Sequence, residues 1–239
     1  MRPKGTNVLV KDLRRLDRTF ELSPRPGTPE ADSVKGARDR VVVRGRLTLD
    51  GAPFDAKWLG AVVRRAGLIT PCQYTLAPVT NGRYEITVLA DREGSGCGAR
   101  GADIVLWTFA RDKQLYSREA VRWPGDGATT SLDATFSSSA PQGAVPPTSD
   151  FAGEVFARNR RQSPPGTRIE AYVGSTRCGV ASVRRTGNFS GYSLAVVGPD
   201  SVKRCRRGAT LTFRIDGRLA METTVNEPSG HDSFDLTRP

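Results

Sequence analysis

Gly208-Ala-Thr-Leu-Thr-Phe-Arg-Ile-Asp-Gly217 is the stretch that decides the fold. Leu211, Phe213 and Ile215 alternate with Thr212 and Arg214. That period of two turns one face of a strand to a core and the other to water. Asp216-Gly217 then separates this run from Arg218–Val225. Two residues able to take positive φ between such runs signal a tight hairpin. The same period recurs upstream. Ile169, Ala171 and Val173 alternate with Arg168, Glu170 and Tyr172, and Tyr192, Leu194 and Val196 alternate with Ser193 and Ala195.

Laid over itself, the chain repeats. Gly45-Arg-Leu-Thr48 aligns with Gly153-Glu-Val-Phe156, Cys72 with Cys178, and Gly82-Arg-Tyr-Glu-Ile86 with Ser190-Gly-Tyr-Ser-Leu194. Cys97 aligns with Cys205, Gly101-Ala102 with Gly208-Ala209, and Ser131-Leu-Asp-Ala134 with Ser233-Phe-Asp-Leu236. Six anchors in order, at offsets between 102 and 108, define two tandem copies, 41–136 and 149–239. Ser137-Ser-Ser-Ala-Pro-Gln-Gly-Ala-Val-Pro-Pro-Thr148 lies between them as a Ser/Pro linker with no means of building a core. In the first copy Asn81-Gly82 takes the turn position before Arg83–Leu89. About seven short strands per copy, separated by Gly, Pro and Asp turns, predict an all-β protein of two tandem antiparallel β-sandwich domains.

Residues 1–40 fall outside the repeat as an N-terminal extension. Leu9, Leu13, Leu16 and Phe20 have helical spacing, with Lys11, Arg14, Arg15 and Arg18 among the intervening positions. Two readings stand: an element covering the first sandwich, or a helix docking on a partner or an anionic surface. Residues 23–40 then read as a tether.

Each copy holds two cysteines, Cys72 with Cys97 and Cys178 with Cys205, each pair straddling the Gly/Tyr strand. One disulfide per copy is the simple expectation, and on the chain-entropy model each would contribute roughly 3–4 kcal/mol. A Cys₄ zinc site competes, but no two cysteines have a CxxC spacing and the ligands would come from different copies. Free buried thiols are the third option. Disulfides imply an oxidising compartment, extracellular or at the cell surface. No apolar h-region follows the basic N-terminus, and no window is apolar enough for a transmembrane segment. A late start codon, unconventional export or a virion protein would reconcile these signals.

The second copy is where a family resemblance is carried. Pro165-Gly-Thr-Arg-Ile-Glu-Ala-Tyr-Val-Gly174, Cys178-Gly179, Gly191-Tyr-Ser-Leu-Ala-Val196, Gly208–Gly217 and Phe234-Asp-Leu236 resemble the Ig-like β-sandwich repeats of secreted and cell-surface bacterial proteins. They are similar to the carboxypeptidase regulatory-like, transthyretin-like group. The first copy is a looser match, with a longer segment before Cys72 and with Trp107 and Trp123 where the second copy has no aromatic residue. The resemblance implies a non-catalytic extracellular module, used as spacer, stalk, adhesion or binding unit. It transfers no catalytic residue.

The chain has 239 residues, 37% of them apolar, and a formal net charge of +11. One histidine, His231, disfavours Ser-His or Cys-His nucleophilic machinery and His-based metal sites. It reads as a surface turn residue after Pro228-Ser-Gly230. The acidic residues form no Asp-x-Asp-x-Asp-Gly calcium loop, no Gly-rich loop cradles a phosphate, and no cofactor is implied. Neither is an enzyme, although an accessory part of a hydrolase is a third class. The positive charge is concentrated outside the first copy. Lys203, Arg204, Arg206 and Arg207 form its densest cluster, and a Cys178–Cys205 bond would bring Arg177 beside them. This is the candidate polyanion-binding patch, for an acidic extracellular or cell-surface polymer. Arg158 with Arg160 and Arg161, and Arg184 with Arg185, form two further clusters. Nucleic acid fits less well, because the aromatic residues alternate into core positions instead of interleaving with the basic ones. Free edge strands offer self-association as another mode of partnership.

Overall fold

The computed structural model describes residues 39–73, 76–92, 94–110, 113–139, 145–186 and 189–239. The helical spacing at Leu9–Phe20 and the tether through residue 38 lie outside the described residues. All the named elements are β-strands. The first repeat contributes β1 (Arg40–Leu49), β2 (Ala52–Pro53), β3 (Leu59–Arg65), β4 (Leu68–Pro71) and β5 (Arg83–Leu89), then β6 (Asp103–Ala110), β7 (Lys113–Tyr116), β8 (Val121–Arg122), β9 (Thr129–Ser131) and β10 (Ala134–Phe136). The second contributes β11 (Thr148–Gly153), β12 (Val155–Ala157), β13 (Arg168–Val173), β14 (Thr176–Ser182) and β15 (Arg184–Thr186), then β16 (Phe189–Val197), β17 (Thr210–Ile215), β18 (Arg218–Val225), β19 (His231–Ser233) and β20 (Leu236–Arg238).

The aligned segments pair alike. In the first half β1 runs antiparallel to β5 and parallel to β9, then parallel to β10 beyond Gly45. In the second half β11 runs antiparallel to β16 and parallel to β19, while β12 runs parallel to β20. The registers correspond residue by residue: Val43 faces Thr130 as Phe151 faces Asp232, and Leu47 faces Ala134 as Val155 faces Leu236. The opposing sheets are β4-β3-β6-β7, with β8 also on β6, and β14-β13-β17-β18. Both expected tight turns form: Asn81 and Gly82 have φ of 52° and 64°, Asp216 and Gly217 of 49° and 79°. The longer segment before Cys72 is an extended β3–β4 hairpin, which runs on through the pairs Arg64↔Ile69 and Arg65↔Leu68.

Inward residues build two cores. Val41, Val43, Leu59, Ala61, Ile86, Ile104, Leu106 and Phe136 anchor the first. Phe151, Ile169, Leu194, Leu211, Phe213 and Ile215 anchor the second, and Val62, Ile69, Val105 and Tyr116 of the first repeat join it. Those four alternate with the inward residues of β3, β4, β6 and β7, so they occupy the outer face of that sheet. Ala195, on the face of β16 that alternation assigned to water, is buried with them, as is Val197 two residues on. Thus the outer faces of two sheets meet. Val145, expected in an inert linker, is 1% exposed and belongs to the second core. His231, expected in a turn, opens β19 and pairs with Asp150.

Candidate functional site

One constellation present in both repeats is a corner built from three aligned residues. Tyr84 donates its hydroxyl to the Leu132 carbonyl, and Tyr192 donates to the Phe234 carbonyl. One residue on, Asp133 Oδ1 accepts the Arg46 amide at 2.8 Å and Asp235 Oδ1 accepts the Glu154 amide at 2.8 Å. Gly45 and Gly153 let the chain cross here, since a Cβ on either would overlap the same carbonyl oxygen, of Leu132 or Phe234. Burial, reinforced by the neighbouring carboxylates, pushes both phenols far above their ordinary pKa. These hydroxyls are therefore fixed donors, and the corner is structural.

The cysteines join as Cys72–Cys97 and Cys178–Cys205, with Cα separations of 5.5 and 5.8 Å, and all four are buried. Each bond is clasped from an equivalent position by a different chemistry. The amide of Trp123 donates to the Ala102 carbonyl as that of Asn226 donates to Ala209. Trp123 then lays its indole on Gly98, beside the first disulfide. Asn226, fully buried, donates Nδ2 to the carbonyls of Cys205 (3.0 Å) and Val197 (3.2 Å) and accepts Ser149 Oγ at 2.7 Å.

The basic cluster is divided by its neighbours. Arg177 Nη1 binds Glu170 Oε1 at 2.8 Å, and Arg168 Nη2 binds the same oxygen at 2.8 Å. Burial pushes the Glu170 carboxyl up, but the Arg177 hydrogen bond and the two cations outweigh it and hold the pKa below the usual carboxylate value. Arg207 pairs with Glu227 at 3.1 Å. Lys203, Arg204 and Arg206 are exposed and make no ion pair among the described residues. Their turn is held by Cys205 N on the Val202 carbonyl, by the disulfide and by Asn226.

Periodicity gave no sign of the junction between the repeats. Arg184, which sequence grouped with surface arginines, reaches the first repeat. Its Nη2 donates to the Pro71 carbonyl at 2.8 Å and to Cys97 Sγ at 3.1 Å, and its Nη1 to the Gln73 carbonyl at 3.2 Å. The Gly94–Gly96 turn closes on the second repeat, where a Cβ on Gly96 would strike Val180. Tyr116 accepts a hydrogen bond from Gln114 Nε2 at 3.0 Å, and its hydroxyl lies beside Thr148 and Asp150. Asp150 in turn accepts Thr148 Oγ1 at 2.8 Å and His231 Nδ1 at 3.2 Å. An open depression of about 570 Å³ beside the first disulfide is lined by Asp91, Arg100, Trp123 and Asp126. Its carboxylates are committed, Asp91 to Arg65, Ser95 and Gly96, and Asp126 to the indole N–H of Trp123.

No family model matches the chain, and no curated protein matches it. Solved structures are similar at low identity. The TIE protein of Bacillus anthracis is 7% identical with a TM-score of 0.24, over 84% of this chain and 33% of that one. The shaft pilin SpaA of Lactobacillus rhamnosus GG is 9% identical with a TM-score of 0.24, over 83% and 96%. A candidate cell adhesion protein of Bacteroides ovatus is 9% identical with a TM-score of 0.25, over 84% and 93%. The chain spans a third of the length of the first of these. Scores this low carry no property of those proteins across. Among the described residues no helix is long and apolar enough to cross a membrane.

Proposed function

We propose that the chain is a non-catalytic structural or adhesive module of an extracellular or cell-surface protein, built from the sandwiches 41–136 and 149–239. One observation carries this reading: each core is stitched by its own disulfide, and the two cores pack through facing sheets into one body. Buried disulfides suit an oxidising compartment, and the carboxypeptidase regulatory-like resemblance points the same way. Alkylation of the denatured native protein without reductant, followed by mass measurement, tests it. The expected result is no alkylated cysteine, with four after reduction; four alkylated cysteines without reductant would reject the extracellular setting.

A second reading is favoured by the turn at Lys203, Arg204 and Arg206, which presents three exposed cations on a fixed backbone. This turn suits an acidic polysaccharide or an anionic surface, with Arg177 and Arg207 already engaged by carboxylates. The triple substitution Lys203→Ser, Arg204→Ser, Arg206→Ser should elute from a heparin column at lower salt than the parent. Identical elution, or retention insensitive to salt, would reject the patch.

A further inference from the structure

We infer that the two disulfides are chemically unequal: Cys72–Cys97 is the reducible one, and its reduction leaves Cys97 as a thiolate paired with Arg184 of the other repeat. The four cysteines are equally buried, 0–1% exposed, so access does not separate the two bonds. Charge does. The Arg184 guanidinium already donates to Cys97 Sγ, and its other partners are the neutral carbonyls of Pro71 and Gln73. It makes no ion pair among the described residues. No cation hydrogen-bonds either sulfur of Cys178–Cys205 among them, and Asn226 donates to the Cys205 carbonyl, away from sulfur. Burial without a counter-charge also pulls the Arg184 pKa down to about 10, the mark of a cation that an adjacent anion would stabilise.

The exchange follows from that geometry. One thiolate of a dithiol reductant attacks Cys72 Sγ, the Cys72–Cys97 bond breaks, and Cys97 leaves with the electron pair as a thiolate beside Arg184. The second thiol of the reductant, deprotonated, attacks its own sulfur in the mixed disulfide and releases Cys72, which takes up a proton. The reductant is oxidised by two electrons to its cyclic disulfide and the protein gains those two electrons. A stabilised leaving thiolate both speeds attack and favours the reduced form. The anion would replace a weak contact to sulfur by an ion pair across the junction, so the redox state of the first repeat is written into its contact with the second.

The test is a titration of the full chain with dithiothreitol, quenched by alkylation and mapped by mass spectrometry. Cys72 and Cys97 should become alkylated at about tenfold less reductant than Cys178 and Cys205, and Arg184→Gln should erase that order. Joint reduction, reversed order, or an order unchanged in Arg184→Gln would each overturn the inference. A second variant removes dependence on reductant access. In Cys72→Ala the free Cys97 thiol should ionise, by ultraviolet thiolate absorbance, below the ordinary thiol midpoint of about 8.5. Near-ultraviolet circular dichroism would verify the fold. Ionisation at or above that midpoint would equally overturn the inference.

Discussion

At the residue scale the aligned corner makes a strong demand. Gly45→Ala or Gly153→Ala places a Cβ against a backbone carbonyl that is itself fixed by a tyrosine hydroxyl. Each should cost about 1–3 kcal/mol, read as a lowered denaturant midpoint. Gly51→Ala should do far less packing damage, because no atom lies within 4 Å of its added Cβ, although its φ of 86° strains any side chain. His231 belongs to this scale too. Its hydrogen bond to Asp150 raises its pKa, burial opposes this, and the charges of Asp150 and Asp232 add to the rise. A pKa higher in the folded state means the contribution is complete below the unfolded value, about 6.5, and disappears as pH rises through the folded one. His231→Gln should therefore lower the melting temperature at about pH 5 and leave it nearly unchanged at about pH 8. A deficit that grew with pH would refute the pairing.

At the element scale, Cys178→Ala with Cys205→Ala should destabilise by roughly 3–4 kcal/mol on the chain-entropy model, measured by chemical denaturation. Asn226 should prove at least as sensitive. Asn226→Leu removes two donors from buried carbonyls and strands Ser149 Oγ, each loss costing about 1–3 kcal/mol. The strand-and-turn plan was legible because local chemistry dictates it. Alternation marked Leu211, Phe213 and Ile215, all fully buried, and Asp216-Gly217 marked their turn. The ordered anchors carried more than resemblance, since Gly45, Tyr84 and Asp133 align with Gly153, Tyr192 and Asp235, and each set meets in space. Alternation could not reveal that Ala195 and Val197 lie under a second sheet. A period of two reports which face of a strand meets its own core, and it is silent about a neighbour on the other face. Arg184 escaped for the same reason: its partners are the backbone of Pro71 and Gln73 and a sulfur, and no sequence pattern marks them. The candidate patch was half legible. The cluster is where charge density placed it, but Glu170 and Glu227, distant in sequence, claim Arg177 and Arg207.

At the scale of the whole molecule the facing sheets join the described residues of both repeats into one compact unit. Ile69→Arg would force a charge into that contact. Its expected effect is faster proteolytic cleavage within 137–148 with both disulfides retained, read by mass spectrometry of the fragments; an unchanged cleavage rate would count against a shared core. The strands that open and close each repeat also lie side by side and run the same way: β1 along β9 and β10, and β11 and β12 along β19 and β20. Tension applied between the ends of a repeat would therefore load those ladders in shear, with several hydrogen bonds resisting together instead of peeling one after another. The disulfide then sets a stop. Cys72 and Cys97 are 25 residues apart, inside the span under tension, so about 80 Å of chain, at roughly 3.3–3.6 Å per residue, is withheld from the pulled length of the first repeat. Force spectroscopy should show unfolding steps longer by about that amount once the bond is reduced, which would make the module a tether of fixed reach.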